Sequence, residues 1–510
     1  MAALRAAEVT WHSLQRADEA QLAAWGLPVG ARIRILVALA AAREGNPPWR
    51  IAGQPAVEAK RQRVAAPPPT GPERPIFEYF GGTKPVPKPR APHAAPKGGS
   101  KPRGGRGAAP QSTVSGPMPP WHVVPGTRFT VDAFAPRVAC RASPDTSAWF
   151  LTHFHSDHYS GLGARWARGP VYCTAITAAL CRLRLRVPAS LLNVLPLYQR
   201  VIIDGVACTL FDANHCPGAA MILFEPPEPH PPVLHTGDCR WNTALHGPML
   251  GPALAALPPH SRHRLRLILD TTYCDPAAGF PASSEAVTFI SNAVRSEGFN
   301  VARTLFLVGS YTIGKERCAF AAARAAGSRL YAGTSKREVL DCLAPTAPGV
   351  GAAGLAPADM ALLTSDDRTA NVHIVPMACV SFARMKGILQ HYKGRFDTCV
   401  GFAPTGWAFG RAAAATGGSA RRRQGALVRY DVPYSEHSSF QELRDCVAFL
   451  APAAICPSVD NDTGQRCSHM VELLTAPDGD PRLRPPQETL RKPQWQAGKA
   501  AAKLKRKQPA

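Results

Sequence analysis

An α/β layered fold is predicted for the stretch from Trp121 to about Thr475, flanked by segments of a different character. Three observations predict it. Short apolar runs alternate there with helical periodicity. Much of the proline and glycine, 51 and 42 residues in all, crowds outside it. Histidines and aspartates stand at the ends of several apolar runs inside it. At 510 residues the chain has room for about three domains. Its 59 basic and 36 acidic residues give a net charge of +23, which favours a polyanionic partner, nucleic acid ahead of an acidic membrane surface. No apolar stretch reaches the ~18 residues that a membrane span needs. The N-terminus carries Glu8, Asp18 and Glu19 in place of an apolar leader. Fourteen cysteines, none in a C-x-x-C pair, read as buried thiols of a reducing compartment.

Residues 1–45 read as a small helical module broken at Gly26-Leu27-Pro28. Thr10-Trp11-His12-Ser13-Leu14 and the stretch to Arg32 resemble the later helices of a sterile-alpha-motif domain, which implies a protein partner. Residues 46–118 form a basic Pro/Gly-rich linker that cannot bury enough apolar surface to offset its chain entropy. One island interrupts it, in which Ile76, Tyr79 and Phe80 resemble the box that docks proteins on the sliding clamp, with Glu73 where that box wants Gln. Strands are predicted over 148–152, 201–203, 207–212, 220–225, 233–236, 265–269 and 304–308. Helices are predicted over 174–184, 315–326 and 440–450. The tail, 476–510, ends in Lys503-Leu504-Lys505-Arg506-Lys507, which reads as a nuclear-import signal.

The most informative residues are His153-Phe154-His155-Ser156-Asp157-His158, directly after an apolar strand. Alternation puts His153 and His155 on one side, and the following turn brings Asp157 and His158 round to the same space. Imidazoles with a carboxylate suit Zn²⁺ or similar first-row ions better than Ca²⁺ or Mg²⁺, which want oxygen alone. Two later strands also end in polar residues, Asp212-Ala213-Asn214-His215 and His235-Thr236-Gly237-Asp238. Their order fits one site assembled from several strand ends.

This H-x-H-x-D-H motif, followed by a lone His and a lone Asp, resembles the metallo-β-lactamase superfamily. Asp132 in Phe129-Thr130-Val131-Asp132, Asp270 in Leu269-Asp270-Thr271-Thr272-Tyr273-Cys274, and Pro433-Tyr434-Ser435-Glu436-His437-Ser438-Ser439 narrow the resemblance to the β-CASP nucleases of DNA cross-link repair, the SNM and Artemis family. It covers roughly two-thirds of the chain. It implies an αββα sandwich (119–280 and 424–475) interrupted by a β-CASP domain (281–423). It further implies that His153, His155, His215 and Asp238 hold one metal, and that Asp157, His158, Asp238 and His437 hold a second. Zn²⁺ is the implied ion, with Mn²⁺ or Mg²⁺ possible at the second position. Asp132 would orient ligands, Asp270 would polarise the site or support its histidines, and Asp157, His158, Asp270 and His437 form the implied catalytic group. His373 is the best candidate for the middle β-CASP motif.

Two divalent ions match phosphodiester hydrolysis, and the basic balance matches a substrate with many phosphates. Ser438 and Ser439 open a helix, and Ser439-Phe440-Gln441-Glu442 has capping-box spacing. Helix N-termini bind anions, so the pair is a candidate 5′-phosphate pocket. Gly309 to Glu316 nearly matches the phosphate loop of nucleotide hydrolases, but Glu316 replaces the Mg²⁺-binding Ser or Thr. Lys315 is therefore expected to pair with a helix carboxylate or to contact DNA phosphate. Arg421-Arg422-Arg423, in a Gly/Ala-rich loop, could track single-stranded DNA. The resemblance implies a 5′-to-3′ exonuclease requiring a 5′-phosphate, in interstrand cross-link repair in the nucleus. Its alternatives are an Artemis-like endonuclease and a β-CASP RNA-processing nuclease.

Overall fold

The computed structural model describes residues 116–298, 300–344, 354–406 and 421–483. The helical module, the clamp-like Ile76, Tyr79 and Phe80, nearly all of the linker and the basic run of the tail lie outside them. Among the described residues no helix is long and apolar enough to cross a membrane. All fourteen cysteines are free.

Two sheets make a sandwich. The first is parallel throughout, in the order β1 (Phe129–Val131), β2 (Ala148–Phe150), β3 (Val171–Cys173), β4 (Leu192–Val194). The second contains β5 (Arg200–Ile203), β6 (Val206–Asp212), β7 (Ala220–Glu225), β8 (Val233–His235) and β9 (Arg266–Leu269), closed by a strand from far along the chain, Ala454–Pro457, beside β9. Side-chain alternation explains the layering. Cys208, Leu210, Ile222, Phe224 and Ile268 meet Phe129, Val131 and Phe150 between the sheets. Their neighbours Phe211, Met221, Leu223, Leu267 and Leu269 face the other way, into the core that includes the helices. Strands β1, β2, β6, β7 and β8 are thus buried on both faces, which is why they read as nearly continuous apolar runs.

A third sheet has seven strands: β10 (Thr304–Ser310), β11 (Leu330–Ala332), β12 (Leu363–Thr364), β13 (Val372–Pro376), β14 (Thr398–Pro404), β15 (Arg421–Gln424) and β16 (Leu427–Val432). Its order is β12-β11-β13-β10-β14-β16-β15, parallel except for the edge hairpin β15–β16. The sheet runs to Val432, past the boundary at 423 that the sequence predicts, because β16 pairs with β14 from Leu427 to Val432. Arg421-Arg422-Arg423 accordingly lies on an edge strand rather than a loop. Arg421 pairs with Glu297, and Arg422 with Asp431.

Candidate metal centre

The ends of β2, β6 and β8 converge on one point. The short helix Ser156–Tyr159 after β2 carries Asp157 and His158, the β6–β7 connection carries His215, and the turn after β8 carries Asp238. Gly237 makes that turn possible. It has φ +55, and a Cβ on it would lie 2.8 Å from the Thr152 side chain. Only a glycine lets the chain close down here and set Asp238 beside His153.

Three inner nitrogens face one another. His153 Nε2 and His215 Nε2 each stand 3.0 Å from His155 Nδ1. One oxygen of Asp238 lies 3.6 Å from His153 Nε2 and 3.7 Å from His215 Nε2, and its other oxygen lies 3.2 Å from His158 Nε2. His437 Nε2 is 4.0 Å from Asp238, and Asp157 is 3.7 Å from His158 Nε2. The seven residues that the resemblance implies as ligands are therefore together.

The outer nitrogens show what the inner ones are for. His215 Nδ1 donates to the Glu436 carbonyl at 2.8 Å, His437 Nδ1 to Asp270 at 2.8 Å, and His158 Nδ1 to Asp132 at 2.7 Å. Thr152 gives its hydroxyl proton to Asp132, so at 3.0 Å it accepts from His153 Nδ1. His155 Nε2 faces the Ile313 carbonyl at 3.4 Å. His153, His155 and His215, which burial holds neutral, thus keep the proton on the outside and present a lone pair inward. Lone pairs 3.0 Å apart with no proton between them repel unless a cation lies among them. Tetrahedral donors at ~2.0–2.1 Å from Zn²⁺ would stand roughly 3.4 Å apart, close to this spacing. The donor set fits a metal ion.

Electrostatics divides the cluster. Burial, helped by neighbouring histidines, pushes the His153 imidazole well below its ordinary value and His215 down to about 3. Burial would also depress His158 and His437, but carboxylates outweigh it. Asp238 and Asp132 hold His158 well above the ordinary value, and Asp270 and Asp238 raise His437 to about 9. The Asp238 carboxyl, which burial alone would raise, is held well below its usual range by His158 and His437. The buried Cys216 thiol adjoins His153, His155 and His215, and burial pushes its pKa well up.

Several predicted roles need correction. Asp270 touches protein on every side: besides His437 it accepts from Cys239 N, Thr272 N and the Thr272 hydroxyl. It sits behind His437 as a positioning residue, not among the reacting groups. Ser438 Oγ donates to the Cys239 carbonyl and accepts from Trp241 N, both at 2.9 Å, while Ser439 N–H and hydroxyl oxygen are consumed by a capping box with Glu442. Ser438 has no donor left for a phosphate, since its N–H also goes to the Cys239 carbonyl, and Ser439 keeps only its hydroxyl proton. Lys315 is buried against the Glu436 carboxylate at 2.7 Å, which is in a loop and not a helix. His373 is wholly buried on β13, packed near Tyr331 and Tyr392, and belongs to the core of the third sheet. Burial lowers it to about 4.

Sequence reasoning missed the groups that hold the site from outside. Gly314 (φ +90) leaves open the space that the Glu436 carboxylate fills, since a Cβ there would lie 2.6 Å from it. Lys315 N and Nζ then grip that carboxylate. The next residue, Glu316, is buried and pairs with Lys336 at 3.0 Å. The Gly-Lys-Glu segment is thus an electrostatic clasp rather than a nucleotide loop. Buried Arg240 donates to the Ser435 and Pro281 carbonyls, Ser283 and Glu442, pinning the loop before His437. Thr152 and Glu436 adjoin predicted ligands in the chain, and that adjacency was their only signal.

Residues 357–463 match the family described as DNA repair metallo-beta-lactamase. The chain is 36% identical over 346 residues to the DNA cross-link repair protein SNM1 of Arabidopsis thaliana, covering 68% of this chain and 66% of that protein. It is 34% identical over 372 residues to the human DNA cross-link repair 1A protein, covering 72% and 33%. It is 30% identical over 382 residues to the 5' exonuclease Apollo of Gallus gallus, covering 74% and 71%. The alignments thus span about two thirds of the plant relative and about a third of the human one.

Proposed function

The chain belongs to the DNA cross-link repair group of β-CASP metallo-β-lactamases, and from that membership we propose that it is a metal-dependent DNA nuclease, a 5′-to-3′ exonuclease requiring a 5′-phosphate and acting in interstrand cross-link repair in the nucleus. Membership implies bound metal ions, and Zn²⁺ is the proposed one. The observation that carries the reading is the ring of five imidazoles whose outer nitrogens are tied to protein and whose inner nitrogens converge on Asp238.

His153, His155, His215 and Asp238 would hold one ion, and Asp157, His158, Asp238 and His437 a second, with Mn²⁺ or Mg²⁺ as further occupants of that position. Such ions supply a water acidified to near neutral pH and charge neutralisation on phosphoryl oxygens. The protein's own work is orientation. Asp132 fixes His158 directly and His153 through Thr152, and Asp270 fixes His437. Burial of His153 and His215 closes the back of the cluster to water. Exposed Asp157 and the partly open His437 leave the front for a strand to enter. The net charge of +23 supports a substrate with many phosphates. The basic run 503–507 supports nuclear import, Ile76, Tyr79 and Phe80 a contact with the sliding clamp, and the N-terminal module a protein partner.

Purified protein with Zn²⁺ or Mn²⁺ is expected to release nucleotides from the 5′ end of 5′-phosphorylated single-stranded DNA and to lose that activity in His215→Ala. Equal behaviour of wild type and variant would overturn the proposal. Preference for matched RNA, or cutting of hairpins without a free end, would redirect it to the RNA-processing or endonuclease reading.

A further inference from the structure

Beside Tyr273 opens a cavity of about 760 Å³ that none of the roles above uses. Its inner wall is aromatic. Tyr273 stands with its ring centroid 6.1 Å from His437 and packs edge-on against Phe280 at 5.1 Å. Arg240 lies 5.1 Å over the Phe280 ring, so that wall is held by the same buried guanidinium that pins the loop before His437. Its outer rim is polar: Arg466 and His469 come from the helix Gly464–Thr475, and Asp275 and Asp460 face the same space. The rim carries two carboxylates beside one guanidinium, so it does not select an anion. A cavity with an aromatic corner, hydrogen-bonding groups at its mouth and no positive excess suits an uncharged, flat, polar-edged group. The volume exceeds what such a group needs, and Tyr273, which lines the cavity, links it to His437 of the cluster.

We infer that this cavity binds the nucleobase of the strand's terminal nucleotide, stacked face to face on one ring of the Tyr273–Phe280 pair with the other ring against its side, and its polar edge toward Arg466 and His469. The inference rests on the nuclease reading and adds to it a base-binding subsite joined to the cluster through Tyr273. Stacking on aromatic side chains is tolerant of base identity, so the subsite selects an unpaired end rather than a sequence.

The test uses single-stranded DNA with a 5′-phosphate, phosphorothioate linkages that resist cleavage, and 2-aminopurine at either the first or the fourth position. Stacking predicts strong fluorescence quenching at the first position on binding full-length wild-type protein, and little at the fourth. Phe280→Ala and Tyr273→Ala are expected to abolish the quenching and to weaken binding about tenfold. Tyr273→Phe, which keeps the ring, is expected to restore both. On a matched strand with an abasic first position, wild type and Phe280→Ala are expected to bind alike. Absence of quenching at the first position in a protein that cleaves DNA would overturn the subsite and leave the nuclease reading intact. Quenching in a protein that cleaves nothing would sink the nuclease reading while the base site stood. Equal losses on natural and abasic ends would show Phe280 and Tyr273 to be structural only and would likewise overturn the subsite.

Discussion

Lys315, after β10, and Glu436, after β16, meet at 2.7 Å, with side chains only 7% and 8% exposed. The same Glu436 offers its carbonyl to His215 and precedes His437 in the chain. One ion pair therefore ties a loop of the third sheet to two imidazoles of the cluster.

Removing one partner of a buried pair strands the other charge. Lys315→Met is expected to destabilise the fold by about 3–5 kcal/mol in urea unfolding, and Lys315→Met with Glu436→Leu to recover part of it. Metal uptake measured against a chromophoric chelator should fall in the single variant, since the loop before His437 loses its anchor. Unchanged stability and unchanged uptake would show that the clasp is decorative.

Asp270 acts through His437, so its removal should be felt by the metal. Asp270→Asn is expected to weaken metal binding about 10–100-fold while the protein stays folded, and Asp132→Asn to do the same at His158. Chelator competition alongside far-UV circular dichroism measures both. A wild-type affinity in Asp270→Asn would return that residue to the reacting groups.

The hydroxyl of Ser438 bridges Cys239 and Trp241. Ser438→Ala should then cost about 1–3 kcal/mol of stability, the penalty of leaving buried partners unpaired. It should leave the preference for 5′-phosphate over 5′-hydroxyl ends unchanged. A collapse of that preference at normal stability would reinstate the phosphate pocket.

His246 stacks on Trp241 at 4.8 Å, and its Nδ1 accepts from Asn242 N. Burial lowers its pKa to about 4 against 6.5 for the ordinary group. The unfolded chain therefore takes up the proton first. Its contribution is fully present above pH 6.5 and is lost as the pH falls toward 4, with a full extent of about 3 kcal/mol. His246→Gln should flatten that part of the acid limb in unfolding experiments run from pH 7 to 4.

Much of the sandwich was legible because its elements carry strong periodic signals. The predicted 220–225 and 440–450 coincide with β7 and the helix Phe440–Leu450, and the other predicted strands fall within two residues of those found. Strands β11, β13, β14 and β16 were not predicted. They are buried on both faces, so they lack the alternation that marks a half-exposed strand, and they stand among Gly- and Ala-rich stretches. The ligand set was legible because spacing within one motif limits where side chains can go. Ser438 misled for the opposite reason. A hydroxyl at a helix start looks free until the chain brings back Cys239 from 199 residues earlier. His373 misled because a lone histidine in an apolar run gives no hint that its strand lies between two others.

The cluster draws His153 from an early strand end and His437 from beyond the insertion. During synthesis the ribosome must therefore deliver most of the polypeptide before the last imidazole can join the rest. A nascent fragment that stops short of Tyr434 has neither the carbonyl that fixes His215 nor the ring that faces Asp270. The order of the chain itself thus defers completion of the five-imidazole cluster until His437 has emerged.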